Sequence, residues 1–278
     1  MTQFGLAALA GHFGRSIEAC LARIEAAVEQ ARESGAALLV LPDATLGGYL
    51  PSLDHDPTDE PDDLPPALRA DGPEIKRLIE IAGDLTLCAG YCETDGHARY
   101  NSAVCVTGDG VLGRHRKVHQ PSAERSAYAS GCGFAAFDTP VGKLGMMIDY
   151  DKTFPEAART LSRDGAVVLA CLSAWPASVT NRAPRLTTDR QTRLFDLYDC
   201  ARAAENQVVV VSANQTGRYG RLSFLGRAKI VGPGGDVIAR TSAKAAMAVA
   251  RVDIGAEVAR ARQVLNHLAE RRPDAYRL

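Results

Sequence analysis

Apolar and polar positions along the chain follow two patterns, one typical of buried strands and one typical of amphipathic helices. Short apolar runs predict strands. These runs cover residues 4–10, 36–41, 85–91, 101–107, 111–115, 144–148, 166–172, 208–213 and 247–252. Because several of the runs alternate with helical patterns, the chain predicts an α/β fold.

Two longer segments have the spacing of apolar residues that is typical of helices. The first opens after Ser16 and ends at Gly35, and its apolar face holds Ile17, Leu21, Ile24 and Val28. The second runs from about Thr188 to Asn206. The first helix joins two predicted strands in a βαβ unit, so the end of the second strand, LPDATLGGYL, lies at a sheet edge where sites tend to form. Asp43 lies in that segment.

The segment MMIDYDKTFPEAARTL, residues 146–161, predicts a buried strand that runs into a sharp turn and a helix. Thr153 and Glu156 have the spacing of a capping box, and Pro155 lies between them, so we expect the helix to start here. Asp149 stands at the turn itself. Enzymes of the α/β class commonly present a nucleophile at such an elbow, and aspartate is an unusual residue for that role.

Glycine-containing turns connect several of the other strands. Those between residues 85 and 115 predict antiparallel neighbours. The segment FLGRAKIVGPGGDVIAR, residues 224–240, predicts a hairpin turned by residues 232–235. Parallel and antiparallel pairs are therefore expected in the same molecule.

Composition and charge exclude several classes of function. The chain has 278 residues, of which 46% are hydrophobic, enough for a full core in one domain spanning residues 1–278. Thirty-two basic against thirty-three acidic residues give a formal charge of −1, which offers no basic surface for nucleic acid or an anionic membrane. The sequence has no leader pattern and no apolar run of about 20 residues. We expect a cytoplasmic protein.

Three polar or reactive features have an ordinary structural interpretation. The acidic, proline-rich residues 51–66 predict a solvated loop. The arginine-rich residues 178–193 predict either an anion-binding loop or a solvated surface, and we favour the surface. The seven cysteines show no paired metal-ligand spacing, so most are expected to be reduced core thiols, and His115 and His119 are not expected to share a metal.

The motifs of the chain, in their order, resemble those of the nitrilase superfamily of carbon–nitrogen hydrolases. LLVLPDATLGGY is similar to the segment with the family's glutamate base, GRHRKVHQP to its lysine segment, ERSAYASGCGF to the segment with a second glutamate, and GKLGMMIDYDKTFPEAARTL to its nucleophile elbow. RAAENQVVVVSANQTG and FLGRAKIVGPGGDV resemble later strands of the family. The resemblance implies a four-layer αββα sandwich made of two mixed sheets with helices outside.

Carried over position by position, the resemblance implies a site with two departures from the family pattern. Lys117 and Glu124 match the family's lysine and its second glutamate. Asp43 stands in the place of the glutamate base, and Asp149 stands in the place of the cysteine nucleophile.

The resemblance also implies what the site binds and how the chain assembles. Tyr150 and Trp175 are the expected substrate-binding residues, and a small amide, nitrile or carboxylate is the expected ligand, with no cofactor. We expect a homo-oligomer, most simply a two-fold dimer, that pairs through the helix after Asp149 and the long helix after Thr188.

The two departures remove the family's thiol chemistry and leave an excess of negative charge. A carboxylate is a weaker nucleophile toward amides than a thiolate, and its acyl anhydride product readily reverts. Asp43 is one methylene shorter than glutamate, so a base there sits farther from the substrate. Because Lys117 faces three carboxyl groups, we expect the cluster to share a proton, with one raised pKa, or to recruit a cation.

Four interpretations are open at this point. The leading one is a binding or partner protein on a nitrilase fold that has lost thiol catalysis. The second is a hydrolase in which Asp43 and Asp149, with Lys117, activate water or a metal-bound water, with direct attack by Asp149 as a lesser variant. The third is that Asp149 is an engineered replacement of a natural cysteine, although Asp43 is a second departure that one inactivating change would not explain. In the fourth, DYDKT is the DxDxT motif of a magnesium-dependent aspartyl-phosphate phosphatase, but the other segments of such an enzyme are not evident.

Overall fold

The fold is built from strands and helices that alternate along much of the chain. The computed structural model describes residues 2–54, 56, 63–121 and 123–276. The strands are β1 (Phe4–Gly11), β2 (Ala36–Val40), β3 (Leu68–Arg69), β4 (Thr86–Thr94), β5 (Arg99–Thr107), β6 (Gly110–Arg116), β7 (Ala136–Phe137), β8 (Leu144–Ile148), β9 (Val168–Ser173), β10 (Val209–Gln215), β11 (Arg218–Tyr219), β12 (Leu222–Ser223), β13 (Lys229–Val231), β14 (Val237–Arg240) and β15 (Ala246–Val252). The helices are α1 (Ile17–Glu33), α2 (Pro73–Ala82), α3 (Glu124–Ala127), α4 (Pro155–Arg163), α5 (Arg190–Asn206) and α6 (Ile254–Ala261).

Most of these strands belong to one hydrogen-bonded sheet. Its main path runs β6-β5-β4-β2-β1-β10-β9-β8-β7. The central strands of this path, from β4 to β8, pair in parallel. At the two ends, β4–β5–β6 and β7–β8 pair antiparallel, and β13–β14 forms the predicted hairpin. The predicted mixture of parallel and antiparallel pairs is confirmed.

The sheet folds over so that its two halves face each other across the main apolar core. Inward residues such as Leu6 alternate along the strands of both halves and are fully buried. The outer face of the first half packs against α1 and α2, through residues that include Ile24 and Leu78. The outer face of the second half packs against α4 and α5, through residues that include Leu161 and Ala203. These layers confirm the predicted α/β class and the αββα sandwich.

The two sheet layers are joined, which refines the prediction of two separate sheets. β1 and β10 pair in parallel at Ala10–Asn214 and Gly11–Gln215, so hydrogen bonding continues from one layer to the other. The join bears on function because Asp43 and Lys117 follow β2 and β6 in the first half, whereas Asp149 follows β8 in the second. A site that combines these residues is built by both halves.

The starts of α1 and α5 show what the capping side chains do. Ser16 caps α1 as expected, since its hydroxyl accepts a hydrogen bond from the Ala19 N–H at 3.2 Å. α5 begins at Arg190, two residues later than predicted, because the carboxylate of Asp189 accepts the Gln191 N–H at 2.9 Å. The expected start, Thr188, lies in a short 3-10 turn before the helix.

The predicted capping box at Thr153 is wrong. Residues 149–153 form a 3-10 turn, Phe154 is the N-cap residue without a side-chain hydrogen bond, and α4 begins at Pro155. The physical reason is Asp151, whose carboxylate accepts the Ile148 N–H at 3.1 Å and holds the chain in the tighter turn. Proline in the first helical turn is confirmed.

The polar segments agree with their predicted surface positions where the structure describes them. The arginines of the segment 178–193 are exposed, namely Arg182, Arg185, Arg190 and Arg193. The predicted loop at residues 51–66 falls partly outside the described residues, which omit 55 and 57–62. The cysteines carry free thiols and most are buried. Within the described ranges, no helix is both long enough and apolar enough to cross a membrane.

Candidate functional site

Asp149 lies at the turn that follows β8. Its backbone φ is +48°, in the left-handed region that few non-glycine residues adopt and that aspartate tolerates better than most. The residue is 5% exposed. Its Oδ2 accepts a hydrogen bond from Lys117 Nζ at 3.4 Å. Among the described residues, its Oδ1 has no hydrogen-bond partner. The elbow therefore presents a buried carboxylate with one free acceptor atom.

Asp151, two residues further on, ties the elbow to the segment after β6. Its Oδ1 accepts the N–H groups of Val118 and His119 at 3.2 and 3.0 Å and His119 Nδ1 at 2.9 Å. Its Oδ2 accepts the Ile148 N–H at 3.1 Å and His115 Nε2 at 2.9 Å. Burial would raise the pKa of Asp151, but the hydrogen bonds from the two histidines outweigh burial and hold the pKa well below its ordinary value.

An ionised carboxylate with both oxygens occupied is poorly suited to donate a proton. The phosphatase interpretation needs a general acid at Asp151, so this geometry argues against it. The same contacts give His115 and His119 a role, since both bind the carboxylate of Asp151.

Lys117 links the elbow carboxylate to Glu124 at the start of α3. Its Nζ donates a hydrogen bond to Glu124 Oε1 at 2.8 Å, and the residue has no exposed surface. The hydroxyl of Tyr49 donates to the same Glu124 oxygen. Burial alone would lower the pKa of Lys117, but the surrounding carboxyl groups outweigh burial and raise it, so the ammonium group stays charged.

Asp43 lies in the loop after β2 and is completely buried. Its N–H donates to the Ser173 carbonyl at 3.2 Å, and its own carbonyl accepts Gln215 Nε2 at 2.9 Å. Asn101 Nδ2 donates to its Oδ2 at 3.0 Å. Burial raises the pKa of Asp43 to about 8, with Lys117 opposing the rise. The carboxyl group therefore keeps its proton at neutral pH.

These four residues form one electrostatic unit, which we call the acid-rich cluster (Asp43, Lys117, Glu124 and Asp149). Lys117 contacts Glu124 and Asp149 directly, and the charges of Glu124 and Asp149 raise the pKa of Asp43. Burial also raises the pKa of Glu124. A proton on Asp43 is the first of the two expected ways to balance the negative charge. In the part of the chain that the structure describes, no group of three or more His, Cys, Asp or Glu side chains could hold a metal ion.

Each carboxyl group of the acid-rich cluster leaves one oxygen without a hydrogen bond. Among the described residues, Asp43 Oδ1, Glu124 Oε2 and Asp149 Oδ1 are buried and have no partner. Buried acceptors are normally paired, and each unpaired one carries a desolvation penalty of roughly 1–3 kcal/mol. Glu124 and Asp149 therefore each keep a free acceptor, whereas the free oxygen of Asp43 is the one left to carry its proton.

A cavity of about 470 Å³ opens beside Asp149. Tyr150 and Trp175, the two predicted substrate-binding residues, line it together with Asp149. The other lining residues are Leu53, Asp54, Pro121, Pro176, Ala177, Val179, Thr180 and Gln191. Trp175 is held in place because its indole N–H donates to Gln191 Oε1 at 3.0 Å. The size is within the usual range for small-molecule sites, and the walls combine aromatic and polar groups.

A second buried charged group, which we call the lysine-rich cluster (Lys152, Asp199 and Lys229), lies next to the elbow. Lys152 Nζ donates to Asp199 Oδ1 at 2.8 Å, and Lys229 Nζ donates to Asp199 Oδ2 at 2.7 Å. Both ammonium groups lie over the ring of Phe195, at 3.5 and 3.7 Å from its centroid. Arg202 donates to the Lys152 carbonyl at 2.8 Å, so this hydrogen bond ties α5 to the turn after Asp149.

Three contributors to the site were missed from sequence. They are Tyr49, which holds Glu124, Asn101, which holds Asp43, and Asp151. A signal for Asp151 was present, since it lies in the same DYD triplet as Asp149. Tyr49 and Asn101 gave no local signal because their partners are distant in sequence.

Comparison with known proteins places the chain in a family. Residues 6–263 match the family model of carbon-nitrogen hydrolases. The chain belongs to the carbon–nitrogen hydrolase family, within the nitrilase superfamily. A nitrilase of Pyrococcus abyssi is 32% identical over 237 residues, which cover 84% of this chain and 82% of that protein. A probable nitrilase of Schizosaccharomyces pombe is 34% identical over 177 residues; that match covers 62% of this chain and 61% of that protein, under two thirds of its length.

Solved structures share the fold over nearly the whole chain. A carbon-nitrogen hydrolase from Helicobacter pylori G27 has a TM-score of 0.83 at 24% identity, covering 99% of this chain and 97% of that one. A variant of the amidase from Nesterenkonia sp. AN1 in complex with butyramide has a TM-score of 0.77 at 23% identity, covering 98% and 95%. In another structure of that amidase, the acetamide moiety of fluoroacetamide is added covalently at the active-site cysteine.

Proposed function

We propose that this carbon–nitrogen hydrolase family protein binds a small amide-type ligand in the cavity beside Asp149 and forms no covalent acyl-enzyme there. The observation that carries the proposal is the carboxylate of Asp149 at the elbow after β8. It lines the cavity and is 3.4 Å from Lys117. The small amides bound by the Nesterenkonia amidase are the model for the ligand.

The chemistry of a carboxylate favours binding over covalent catalysis. The hydrogen bond from Lys117 draws electron density from the Asp149 carboxylate and makes it a still weaker nucleophile. Attack on an amide would give an acyl anhydride, which the released amine recaptures. Asp149 can instead accept a hydrogen bond from a ligand N–H through its free Oδ1.

No other cysteine is placed to replace the missing thiol in the described part of the chain. Burial raises the pKa of Cys171 to about 12, so this thiol is not ionised near neutral pH. Cys132 is exposed, and neither residue lines the cavity. Thiol catalysis therefore has no nucleophile at this site.

A second candidate function is a hydrolase that uses the carboxyl groups themselves. The observation that favours it is Asp43, whose pKa of about 8 lets it hold a proton at neutral pH and donate it to a leaving group. In this candidate, Asp149 acts as the base for an attacking water. Hydrolysis of amides by the unmodified protein, abolished by Asp149→Asn and indifferent to thiol-blocking reagents, would establish it and overturn the binding function.

The deciding experiment restores the family's residues. Unmodified protein incubated with small amides and activated esters is expected to show no mass adduct and no turnover. Asp149→Cys with Asp43→Glu is expected to gain measurable amidase or esterase activity and an acyl adduct in intact-protein mass spectrometry. Each single change should recover less, because nucleophile and base act as a unit. Cys132→Ser in the double variant is the control, and the adduct should survive it.

The homodimer implied by the family resemblance stays a prediction. Its expected surface includes α4 and α5, and Leu197 on α5 is 55% exposed in the single chain. An exposed leucine on that helix is compatible with a second copy packing there. Sedimentation at micromolar concentration measures the state.

A further inference from the structure

We infer that the ligand of the Asp149 cavity carries a primary ammonium group, which donates an N–H hydrogen to the free Oδ1 of Asp149. This inference rests on the proposed binding function and names the chemical class of the ligand. It commits to an alkylammonium compound small enough for the cavity.

The hydrogen-bonding capacity of the cluster is the first argument. Glu124 Oε2 and Asp149 Oδ1 are buried acceptors without a partner among the described residues, whereas the unpartnered Oδ1 of Asp43 is the oxygen left to carry the proton of that carboxyl group. A primary ammonium group has three N–H donors and no acceptor. A carboxamide offers two donors, and a nitrile or a carboxylate offers none. An ammonium group or a carboxamide can therefore satisfy these acceptors, whereas a nitrile or a carboxylate cannot.

The balance of charge is the second argument. Lys117 is the cation of the cluster, and its ammonium group is already shared by Glu124 and Asp149. With a proton on Asp43, the carboxyl groups of Glu124 and Asp149 still share one cation, Lys117. A cationic ligand is attracted to these carboxyl groups, whereas an anionic ligand is repelled by them.

The walls of the cavity favour the same ligand. Its charged lining side chains are Asp149 and Asp54, both acidic, and no lysine or arginine lines it among the described residues. Asp54 is paired with Arg221 at 3.3 Å, so Asp149 is the carboxylate left with a free oxygen. Tyr150 and Trp175 offer aromatic surface to a cation and to an alkyl chain.

The geometry points to an organic cation rather than a metal ion. A metal requires several ligand atoms around one centre, and no group of side chains in the described ranges meets that requirement. An ammonium group needs only hydrogen-bond distances to separate acceptors. Within the expected ligand classes, the carboxylate is thus disfavoured, and an amide remains acceptable as a weaker donor.

Isothermal titration calorimetry on the full chain at pH 7 tests the inference with five probes: butylamine, ammonium chloride, butyramide, butyrate and butyltrimethylammonium. Butylamine is expected to bind about tenfold or more tighter than butyramide and than butyrate, because charge-assisted hydrogen bonds are the stronger ones. Butyltrimethylammonium carries the charge without N–H donors and should bind more weakly than butylamine. Ammonium chloride separates the free ion from the alkylammonium class, and tighter binding of the free ion would overturn the commitment to an alkyl compound.

Matched variants locate the binding group. Asp149→Asn is expected to weaken butylamine binding about tenfold or more, while Asp54→Asn, the other acid of the cavity, should weaken it less than about threefold. Equal affinity for butylamine and butyrate, unchanged affinity in Asp149→Asn, or no saturable butylamine binding would overturn the inference. These outcomes are distinct from failure of the proposed function, which would appear as turnover or an acyl adduct in the unmodified protein.

Discussion

The acid-rich cluster and the lysine-rich cluster are both buried and both carry unequal numbers of positive and negative groups, yet their hydrogen bonding differs. In the lysine-rich cluster, Asp199 uses both oxygens, and each lysine has a carboxylate and an aromatic ring. In the acid-rich cluster, every carboxyl group keeps one free oxygen, and Asp149 lines a cavity. Unequal charge therefore does not by itself distinguish the two clusters. The free acceptor of Asp149, a residue that lines the cavity, does.

The pKa shifts support this division. Lys152 and Lys229 outweigh burial and hold the pKa of Asp199 below its ordinary value, so this carboxylate stays charged between them. Burial and the neighbouring Lys152 lower the pKa of Lys229. In the acid-rich cluster, burial outweighs the charge of Lys117 and raises the pKa of Asp43 to about 8. The charged groups of the lysine-rich cluster are bonded to one another, whereas Asp43 in the acid-rich cluster holds a proton.

The largest expected effect comes from breaking the lysine-rich cluster. Asp199→Asn removes the carboxylate that Lys152 contacts and one of the two that Lys229 contacts, and it is expected to lower the free energy of unfolding by about 3–5 kcal/mol. Denaturant unfolding measures it. The matched control is Asp196→Asn on the same helix, which is 24% exposed and 3.2 Å from Lys229, and which should cost much less. Equal losses in the two variants would contradict the central role of Asp199.

Unfolding free energies of the unmodified protein and of Asp43→Asn, measured at several pH values, test the acid-rich cluster. Unfolded Asp43 loses its proton near its ordinary value of 3.8, whereas folded Asp43 keeps it to about 8. Between these values the folded state holds one more proton, so this residue makes stability fall as pH rises. Relative to Asp43→Asn, the unmodified protein should lose roughly 2–3 kcal/mol of unfolding free energy between pH 5 and pH 7. Parallel curves for the two proteins would show that Asp43 titrates normally.

The smallest expected effect is that of Asp149→Asn on stability. The change removes a 3.4 Å contact with Lys117, but it also removes one of the two carboxyl groups that share Lys117, and asparagine tolerates the positive φ. The two effects oppose each other, so the free energy of unfolding should change by less than about 1 kcal/mol. Thermal and denaturant unfolding check this. A loss comparable with that of Asp199→Asn would mean that Asp149 serves the scaffold rather than a ligand.

Local sequence patterns predicted much of the fold and the positions of the main site residues. Apolar runs mark the strands because buried strands need them, and Asp43 and Asp149 are visible as charged residues directly after such runs. α2 and α6 were missed. The first begins at Pro73 without a side-chain cap, so it lacks a strong start signal.

Long-range pairing explains what the sequence could not reveal. Lys152, Asp199 and Lys229 stand far apart in the chain, and each looks like an ordinary surface charge until the fold brings them together. The Thr153 capping box failed for a related reason, since the tertiary contacts of Asp151 override the local spacing. A charged residue in this sequence therefore indicates a site only when its contacts in the folded chain are known.

The left-handed backbone at residue 149 also limits which amino acids evolution can place at the elbow. A residue there must accept a φ of +48°, a conformation that is most unfavourable for β-branched side chains. Aspartate and asparagine adopt it at low cost. The hydrogen bonds that shape the turn come from Asp151, so they do not depend on the side chain at 149. The turn can therefore keep its shape when the side chain at residue 149 changes, so the chemistry of this position can change without a change in the architecture around it.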